Sequence, residues 1–315
     1  MRFFITTLSA AWLAAVTASG AILSGDKNLG SIWFLGDSIM QSNADGSGAS
    51  SPRLSLYNQL SAAGYTFDYT GSHTANVDGL PVTGGTVINN LYHYHDGHSG
   101  WRIDDYTKGN ANDVASLWNS GRLNFFKPNV IVIMLGTNDL DRFDYATMSA
   151  EAAAHEAKAR METLLNKIYA LPNSGGPTVI LSNIPPNGRT TEKSAGVNAF
   201  NALLPSLVSG YQAAGRSIYL ADVNSLLNNE YSKAMVSDNL HTNAYGNDLL
   251  ARGWFEAINA AVIPEPATWA LLMTGAALLV TLRPRNKNTT APRLSTPLPL
   301  VSSPAAGGGR CSIRV

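Results

Sequence analysis

The sequence predicts an α/β protein, a three-layer α/β/α sandwich whose central sheet has five mostly parallel strands. Short β-branched or apolar runs alternate with helix-like segments along residues 25–262, the pattern of strands joined by helical crossovers. The run at 130–135 is apolar without alternation, as expected of a strand that is covered on both faces. No internal repeat or interdomain linker is visible between residues 25 and 262, so we expect one domain there.

Each predicted element has its own local signal. The predicted strands are short runs rich in Val, Ile, Thr, Phe and Tyr, at 31–35, 67–70, 130–135, 178–182 and 218–222. The predicted helices are the longer segments at 53–63, 149–170, 197–214 and 245–261, the first of which ends at Gly64. Ligands of open parallel sheets bind beyond the carboxyl ends of the strands. We therefore expect a binding or catalytic site among the residues that directly follow the strands.

Charge is distributed unevenly along the chain, although 22 Lys and Arg balance 22 Asp and Glu overall. Residues 21–262 carry 15 basic and 21 acidic side chains, a net charge of −6, whereas residues 263–315 carry +5. An acidic body argues against nucleic-acid binding, which needs a basic surface. The single cysteine, Cys311, excludes an intramolecular disulfide and a thiolate zinc cluster, and its position near the end argues against a cysteine nucleophile.

Both ends of the chain carry features of targeting segments. Residues 1–20 begin with Arg2, continue as an uncharged run at 3–16 and end in small residues, which is the pattern of a secretory signal peptide. The uncharged run at 267–282 is followed by the basic run Arg283-Pro284-Arg285-Asn286-Lys287, as in a membrane segment with a cytoplasmic stop. Its 16 residues are slightly fewer than the roughly 17–25 of a spanning helix.

Directly before this apolar run stands Pro264-Glu265-Pro266. Residues 263–287 thereby resemble the PEP-CTERM sorting signal of Gram-negative bacteria that make extracellular polysaccharide. The resemblance implies export across the inner membrane, transient anchoring at the C-terminus, and release to the periplasm, cell surface or medium by an exosortase-type processing enzyme. Residues 288–315 continue beyond the usual end of such a signal, and their Pro, Ser, Thr and Gly content predicts disorder.

Four short motifs of chemically active residues follow one another along the predicted domain. They are Gly36-Asp37-Ser38-Ile39, His95-Asp96-Gly97-His98-Ser99-Gly100-Trp101, Gly136-Thr137-Asn138-Asp139 and Asp238-Asn239-Leu240-His241. Each motif alone is also explained by a turn, a helix cap or a surface pair. Together and in this order they resemble the four blocks of the SGNH, or GDSL-type, hydrolases over roughly residues 30–260. The resemblance implies a flavodoxin-like SGNH fold and the activity of a carboxylic ester hydrolase.

These motifs contain the residue types that serine hydrolysis requires. A serine hydroxyl is a poor nucleophile at neutral pH and needs an adjacent base that a third group orients. Ser38 is the candidate nucleophile and His241 the candidate base, and Asp238 is spaced to lie on the same side as His241. Attack creates an oxyanion that needs pre-aimed donors. The resemblance implies that these donors are the backbone N–H groups of Ser38 and Gly100 and the side-chain amide of Asn138.

Two alternative sites use residues of the second motif. Gly97-His98-Ser99-Gly100 nearly matches the nucleophile elbow of α/β-hydrolases, but Trp101 occupies the position where the elbow needs glycine, so Ser38 is favoured over Ser99. The set His93, His95, Asp96 and His98 contains metal-binding residue types at close spacing. The second block accounts for the same residues, however, and we expect neither a metal nor another cofactor.

The first two motifs also indicate a substrate class. The His-x-Gly-His-Ser-Gly-Trp pattern at 95–101 and the extended first block at 36–43 are most similar to the acetylxylan-esterase-like carbohydrate esterases of the SGNH family. The resemblance implies an acetyl or other carboxylic ester on a carbohydrate, and the acidic body favours a neutral glycan. Two alternatives stay open: a short-chain lipase or general esterase with the same residues, and a non-catalytic surface protein that binds polysaccharide.

Overall fold

The computed structural model describes residues 27–41, 51–71, 94–108, 126–170 and 176–262. In these residues one parallel sheet is formed by β1 Asn28–Gly36, β2 Thr66–Thr70, β3 Asp96–Gly97, β4 Val130–Met134, β5 Thr178–Ser182 and β6 Ile218–Ala221. The strand order is β2-β1-β4-β5-β6, and the two residues of β3 pair with the end of β1. Apart from β3 this is the flavodoxin-like order, with its topological switch between β1 and β4.

The helices connect these strands and cover the sheet. They are α1 Ser38–Gln41, α2 Pro52–Ala62, α3 Ile103–Lys108, α4 Thr137–Arg142, α5 Ala150–Tyr169, α6 Thr191–Ala213, α7 Val223–Asn229, α8 Tyr231–Ala234 and α9 Ala244–Val262. One layer is built around α9, which packs on α2, β5 and β6, and the other around α5, which packs on α6 and α3. Every residue of β4 and β5 is buried, as cover on both faces of the sheet requires.

Side-chain caps determine where three of the long helices begin. The hydroxyls of Ser51, Ser149 and Thr190 each accept a hydrogen bond from a backbone N–H in the first turn of α2, α5 and α6. Such a bond satisfies one of the N–H groups that a helix start leaves without an intrahelical partner. The cap at Thr190 explains why α6 begins at Thr191, although apolar periodicity alone predicts a start at 197.

The predicted three-layer α/β/α class is confirmed, with three differences in detail. The sheet of the described residues has six strands, all parallel, rather than five mostly parallel strands. The additional strand, β3, has only two residues and therefore leaves no periodic pattern in the sequence. The short helices α1, α3, α4, α7 and α8 were not predicted, because segments of four to seven residues are too short to show a helical period.

The predicted terminal segments lie outside the described residues. These are the signal peptide at 1–20, the sorting signal at 263–287 with its apolar segment at 267–282, and the tail at 288–315. Among the helices that the structure describes, none is both long enough and apolar enough to cross a membrane. The described residues all belong to one compact unit, Met1–Trp269.

Candidate active site

The predicted site residues come from the connections that follow β1, β3, β4 and β6. Ser38 is the first residue of α1, separated from the end of β1 by Asp37 alone, and Asn138 is the second residue of α4, which follows β4. Gly100 follows β3, and Asp238 and His241 lie in the loop between α8 and α9. Because the strands are parallel, their carboxyl ends share one edge, which is where ligands of such sheets bind.

Ser38, His241 and Asp238 form a continuous hydrogen-bonded series, called here the candidate triad. Ser38 Oγ lies 2.8 Å from His241 Nε2, and His241 Nδ1 lies 2.5 Å from Asp238 Oδ2. In the tautomer that fits both contacts, Nδ1–H donates to the carboxylate and Nε2 accepts from the hydroxyl. His241 is then placed to take the proton of Ser38 when the oxygen attacks an ester. Ser38 itself is partly exposed, although its neighbours Asp37 and Ile39 are buried.

The loop that carries Asp238 and His241 is closed by backbone contacts. Met235 and Thr242 form an isolated β-bridge, and Val236 N–H donates to the carbonyl of His241 at 2.9 Å. Asp238 Oδ1 accepts from the backbone N–H groups of Leu240 and His241, both at 3.0 Å, so the carboxylate stabilises the turn with one oxygen and faces the imidazole with the other. The Asp-x-x-His spacing therefore brings the carboxylate into contact with the imidazole.

Asp238 is held in its ionised form. Partial burial alone would raise the pKa of its carboxyl, but hydrogen bonds from the backbone and side chain of His241 and from Leu240 outweigh this and lower the pKa to about 2. The carboxylate therefore remains charged throughout the range in which an imidazole exchanges protons. A fixed negative charge beside Nδ1 would stabilise an imidazolium at His241.

The three expected oxyanion donors lie on connected segments. Trp101 N–H donates to the carbonyl of His98 at 3.1 Å, and Gly100 has a φ of 79°, so residues 98–101 form a type II turn that needs glycine at this position. Asn138 Nδ2 donates to the carbonyl of Trp101 at 3.0 Å, which leaves its second N–H for another acceptor. Within the described ranges, the backbone N–H groups of Ser38 and Gly100 donate no hydrogen bond.

Close packing fixes the position of Ser38 at the start of α1. A Cβ on Gly36 would lie 2.2 Å from Met40 Cβ, so only glycine lets α1 turn back against the end of β1. The turn at 98–101 is attached to the same helix, because Gln41 Oε1 accepts the N–H of Ser99 at 2.7 Å. Gln41 was not singled out from the sequence, since nothing marks a buried glutamine in advance.

Asp37, next to the candidate nucleophile, is completely buried. Its Oδ1 accepts the backbone N–H of Ile39 at 3.0 Å. Burial disfavours the charged form and raises the pKa of Asp37 to about 6, against the opposing effects of the Ile39 hydrogen bond and the nearby His241. The aspartate of the Gly-Asp-Ser motif is therefore a buried acid that titrates near neutrality.

The histidines of the second motif belong to a buried polar network. His95 Nδ1 accepts the N–H of Gly97 at 3.0 Å, and Asp96 Oδ2 accepts Trp33 Nε1–H at 2.5 Å. His98 lies 3.4 Å from Asp96 Oδ1 and stacks on Trp101 with 3.9 Å between ring centroids. His93 lies outside the described residues, and within them no group of three or more His, Cys, Asp or Glu is placed to hold a metal ion.

The competing nucleophile, Ser99, is placed differently from Ser38. Ser99 is exposed, and in the described part of the chain its hydroxyl makes no hydrogen bond to a histidine. Since a serine needs an adjacent base to attack an ester at neutral pH, the geometry favours Ser38.

One polar contact of the candidate triad was not anticipated. Arg189, in the connection after β5, lies with Nη2 3.6 Å from Asp238 Oδ2. Its position shortly after a strand, beside the turn-forming run Pro185-Pro186-Asn187-Gly188, is a signal that could have identified it.

Comparisons with known proteins agree with this fold. Residues 32–254 match the family described as GDSL-like lipase/acylhydrolase. Similar solved structures include a carbohydrate esterase of family 3 from Talaromyces cellulolyticus and one from Clostridium thermocellum, each with 22% identity, a TM-score of 0.50, and coverage of 78% of this chain and 98% of the other. An acetylxylan esterase from Geobacillus stearothermophilus has 16% identity and a TM-score of 0.50 over 78% of this chain and 99% of its own. No curated protein shows significant similarity.

The family match covers most of the described domain, from β1 to α9. The chain therefore belongs to the GDSL-like lipase/acylhydrolase family and is a carboxylic ester hydrolase. The resemblance to SGNH hydrolases that its motifs indicate is confirmed at the level of family and fold.

Proposed function

We propose that this protein is an exported serine esterase that removes acetyl groups from a carbohydrate through an acyl-enzyme on Ser38. The observation that carries the proposal is the hydrogen-bonded series from Ser38 Oγ to His241 to Asp238, at 2.8 and 2.5 Å. A nucleophile, a base and an orienting carboxylate in contact are the minimum set for attack by a serine hydroxyl.

In the first half of the reaction, Ser38 Oγ attacks the carbonyl carbon of the acetyl ester. His241 Nε2 takes the hydroxyl proton, while Asp238 keeps Nδ1–H in place and stabilises the positive charge on the imidazole. The negative charge that develops on the ester carbonyl oxygen is stabilised by hydrogen bonds from the N–H groups of Ser38 and Gly100 and from the side-chain amide of Asn138. The intermediate collapses when His241 returns its proton to the sugar oxygen, which leaves as an alcohol.

In the second half, water replaces the sugar hydroxyl. His241 takes a proton from this water, whose oxygen attacks the acetyl carbonyl bound to Ser38. The same donors hydrogen-bond to the new oxyanion. The bond between the acetyl carbon and Ser38 Oγ then breaks, and the proton passes from His241 to Ser38. Acetate leaves and the free hydroxyl is restored, so no metal or other cofactor is required for the cycle.

The carbohydrate assignment is supported by the second motif and by the named structural neighbours. The pattern at 95–101 resembles that of acetylxylan-esterase-like enzymes, and the neighbours are themselves described as carbohydrate or acetylxylan esterases. The net charge of −6 over residues 21–262 favours a neutral glycan over an anionic one, because like charges repel.

The assignment to the outside of the cell rests on the chain ends. Residues 1–20 have the pattern of a signal peptide, and residues 263–287 resemble a sorting signal for an exosortase-type processing enzyme. A bacterium that makes acetylated extracellular polysaccharide would supply the substrate in that compartment. Fractionation of cells that produce the full-length chain, followed by determination of both termini of the released protein, tests this part of the proposal. Retention of the uncleaved protein in the cytoplasm would contradict it.

Acetate release from a panel of acetylated polysaccharides tests the activity and its substrate class. The wild-type protein should release acetate from neutral acetylated glycans, and Ser38→Ala should not. Ser99→Ala is the matched control, because it removes a nearby exposed hydroxyl and should retain activity. Full activity of Ser38→Ala would refute the assignment of the nucleophile, and absence of acetate release from every glycan would refute the substrate class.

The family description leaves a second candidate function open, a short-chain lipase or general esterase with the same residues, since the family includes lipases. A series of p-nitrophenyl esters separates the two functions. A carbohydrate deacetylase should prefer acetate and lose activity as the acyl chain lengthens. A preference for long chains would favour the lipid substrate.

A further inference from the structure

A group of polar side chains beside the candidate triad is centred on Asp141, near the end of α4. Asp141 Oδ1 accepts from Asn187 Nδ2 and from Lys193 Nζ, and its Oδ2 accepts from Arg189 Nη1, each at 3.0 Å. These four residues, called here the Asp141 cluster, connect α4 to the segment before α6 and to its first turn. α4 also carries Asn138, one of the three expected oxyanion donors, three residues before Asp141.

Within this cluster, Arg189 makes the contacts to Asp238. Its Nη2 lies 3.6 Å from Asp238 Oδ2, the oxygen that faces His241, and its Nε lies 3.4 Å from the backbone carbonyl of Asp238. The guanidinium therefore spans two carboxylates, one on α4 and one in the loop that carries the candidate base. A planar fork with fixed donors suits such a bridge, whereas a lysine ammonium acts as a single point of charge.

We propose that Arg189 is a positioning residue that holds Asp238 in register with His241 and moderates the charge of the carboxylate. This role rests on the proposed function, because it serves the proton transfer at His241. Residues 237–239 of the loop with Asp238 and His241 are exposed, and their backbone is bonded to the segment before α6 where Gly188 N–H donates to the carbonyl of Asn239. The attachment of Asp238 to α4 through Arg189 adds a side-chain constraint on the carboxylate itself. A displacement of catalytic groups by about 1 Å costs as much as 10²-fold in rate.

The positive charge of Arg189 also has a predictable electrostatic effect. It offsets part of the negative charge of Asp238, and thereby opposes protonation of His241. In the described residues, other ionisable groups near this site include Asp37 after β1, Tyr231 on α8 and Arg142 on α4, whose Nη2 would lie 3.0 Å from a Cβ on Gly100; Asp141 is bound to the far side of Arg189. Removal of Arg189 leaves these groups in place and the Asp238 charge less compensated. His241 should then hold its proton to a higher pH.

The experiment compares Arg189→Ala with Lys193→Ala in the full-length protein. Lys193 binds the same Asp141 carboxylate but makes no contact with Asp238 in the described residues, so its removal perturbs the cluster without touching the candidate triad. The measurements are kcat and KM for acetate release, the pH dependence of kcat/KM, the thermal midpoint, and the NMR titration of His241, assigned with His241→Gln. Arg189→Lys tests the need for the fork geometry.

For Arg189→Ala we expect kcat to fall about 10-fold with KM nearly unchanged. The acidic limb of kcat/KM and the His241 titration should both move up by on the order of half a pH unit, as the loss of a partly screened charge nearby predicts. Lys193→Ala should leave the acidic limb of kcat/KM and the His241 titration at their wild-type values. Arg189→Lys should restore the wild-type pH dependence but only part of kcat.

Equal kcat losses and equal pH behaviour in Arg189→Ala and Lys193→Ala would overturn the proposal, because the cluster would then have only a structural role. A wild-type pH profile in Arg189→Ala would overturn it as well. If the alanine variant does not fold, Arg189→Gln gives the same comparison. Inactivity of the wild-type protein would refute the proposed function, while the His241 titration would still decide whether Arg189 acts on His241.

Discussion

The two halves of the candidate triad are held by different forces. Residues 32–37 and 39–41, on both sides of Ser38, are buried, and Gly36 packs directly against Met40. Asp238 and His241 instead lie in a surface loop, with 37% and 18% of their side chains exposed. The candidate nucleophile is therefore positioned by packing, and the candidate base by hydrogen bonds and charge.

This difference has a consequence for substitution. Packing contributes to the stability of the whole domain, so a change beside Ser38 should reduce the free energy of unfolding. Hydrogen bonds in an exposed loop contribute little to that free energy but fix the direction of a proton transfer. A change in the loop should therefore reduce turnover in a protein that remains folded.

The largest effect is expected from His241→Ala. Removal of the base leaves Ser38 as an unassisted hydroxyl, and kcat for acetate release should fall by about 10⁴-fold or more. The thermal midpoint should stay within about 5 °C of wild type, since each lost hydrogen bond contributes only about 1 kcal/mol to stability. A folded His241→Ala variant with more than a tenth of the wild-type kcat would exclude His241 as the base.

Asp238→Asn should have the next largest effect. The amide no longer fixes the imidazole tautomer or stabilises its charge, so we expect kcat to fall roughly 10³–10⁴-fold. Glu256→Gln, which removes an exposed carboxylate from an ion pair on α9, is the control and should behave as wild type. Unchanged turnover in Asp238→Asn would mean that another group orients His241.

Asp37→Asn tests the buried segment around Ser38 through the pH dependence of the free energy of unfolding. The pKa of Asp37 in the folded protein, about 6, is above its ordinary value of 3.8, so the folded state binds its proton more tightly. The free energy of unfolding should therefore fall as pH rises from about 4 to about 6, by roughly 2 kcal/mol if this group acts alone. Denaturation of wild type and variant at pH 4, 5, 6 and 7 measures the difference. Parallel curves across that range would show that burial does not shift this carboxyl.

Gly36→Ala should lower stability by about 1–3 kcal/mol, because the new methyl group would lie 2.2 Å from Met40 Cβ and α1 would have to move. Gly210→Ala on α6 is the matched control. Among the described residues no atom lies within 4 Å of a Cβ at position 210, so that change should be neutral or stabilising by up to about 1 kcal/mol. Urea denaturation compares the two, and equal midpoints would contradict the described packing of α1.

The sequence predicted the architecture well where the pattern was long. The unbroken apolar run at 130–135 and the long helices at 149–170 and 245–261 correspond to β4, α5 and α9 within a few residues. The spacing of Asp238 and His241 and the position of Ser38 after a strand also placed these groups in mutual reach. These signals are local or follow from the parallel sheet.

Other features depend on contacts that local pattern does not show. Gln41 reaches Ser99 across 58 positions, and Arg189 reaches Asp238 across 49. The shifted pKa of Asp37 arises from burial by the assembled fold and not from its neighbours in sequence. Tertiary contacts of this kind become visible only once the strands are ordered in the sheet.

Labelling with a serine-directed fluorophosphonate, with the modified peptide located by mass spectrometry, identifies the nucleophile directly. We expect one phosphonylated residue, Ser38, with labelling abolished in Ser38→Ala and His241→Ala and retained in Ser99→Ala. Labelling at Ser99, or equal labelling of wild type and Ser38→Ala, would contradict the assignment of Ser38.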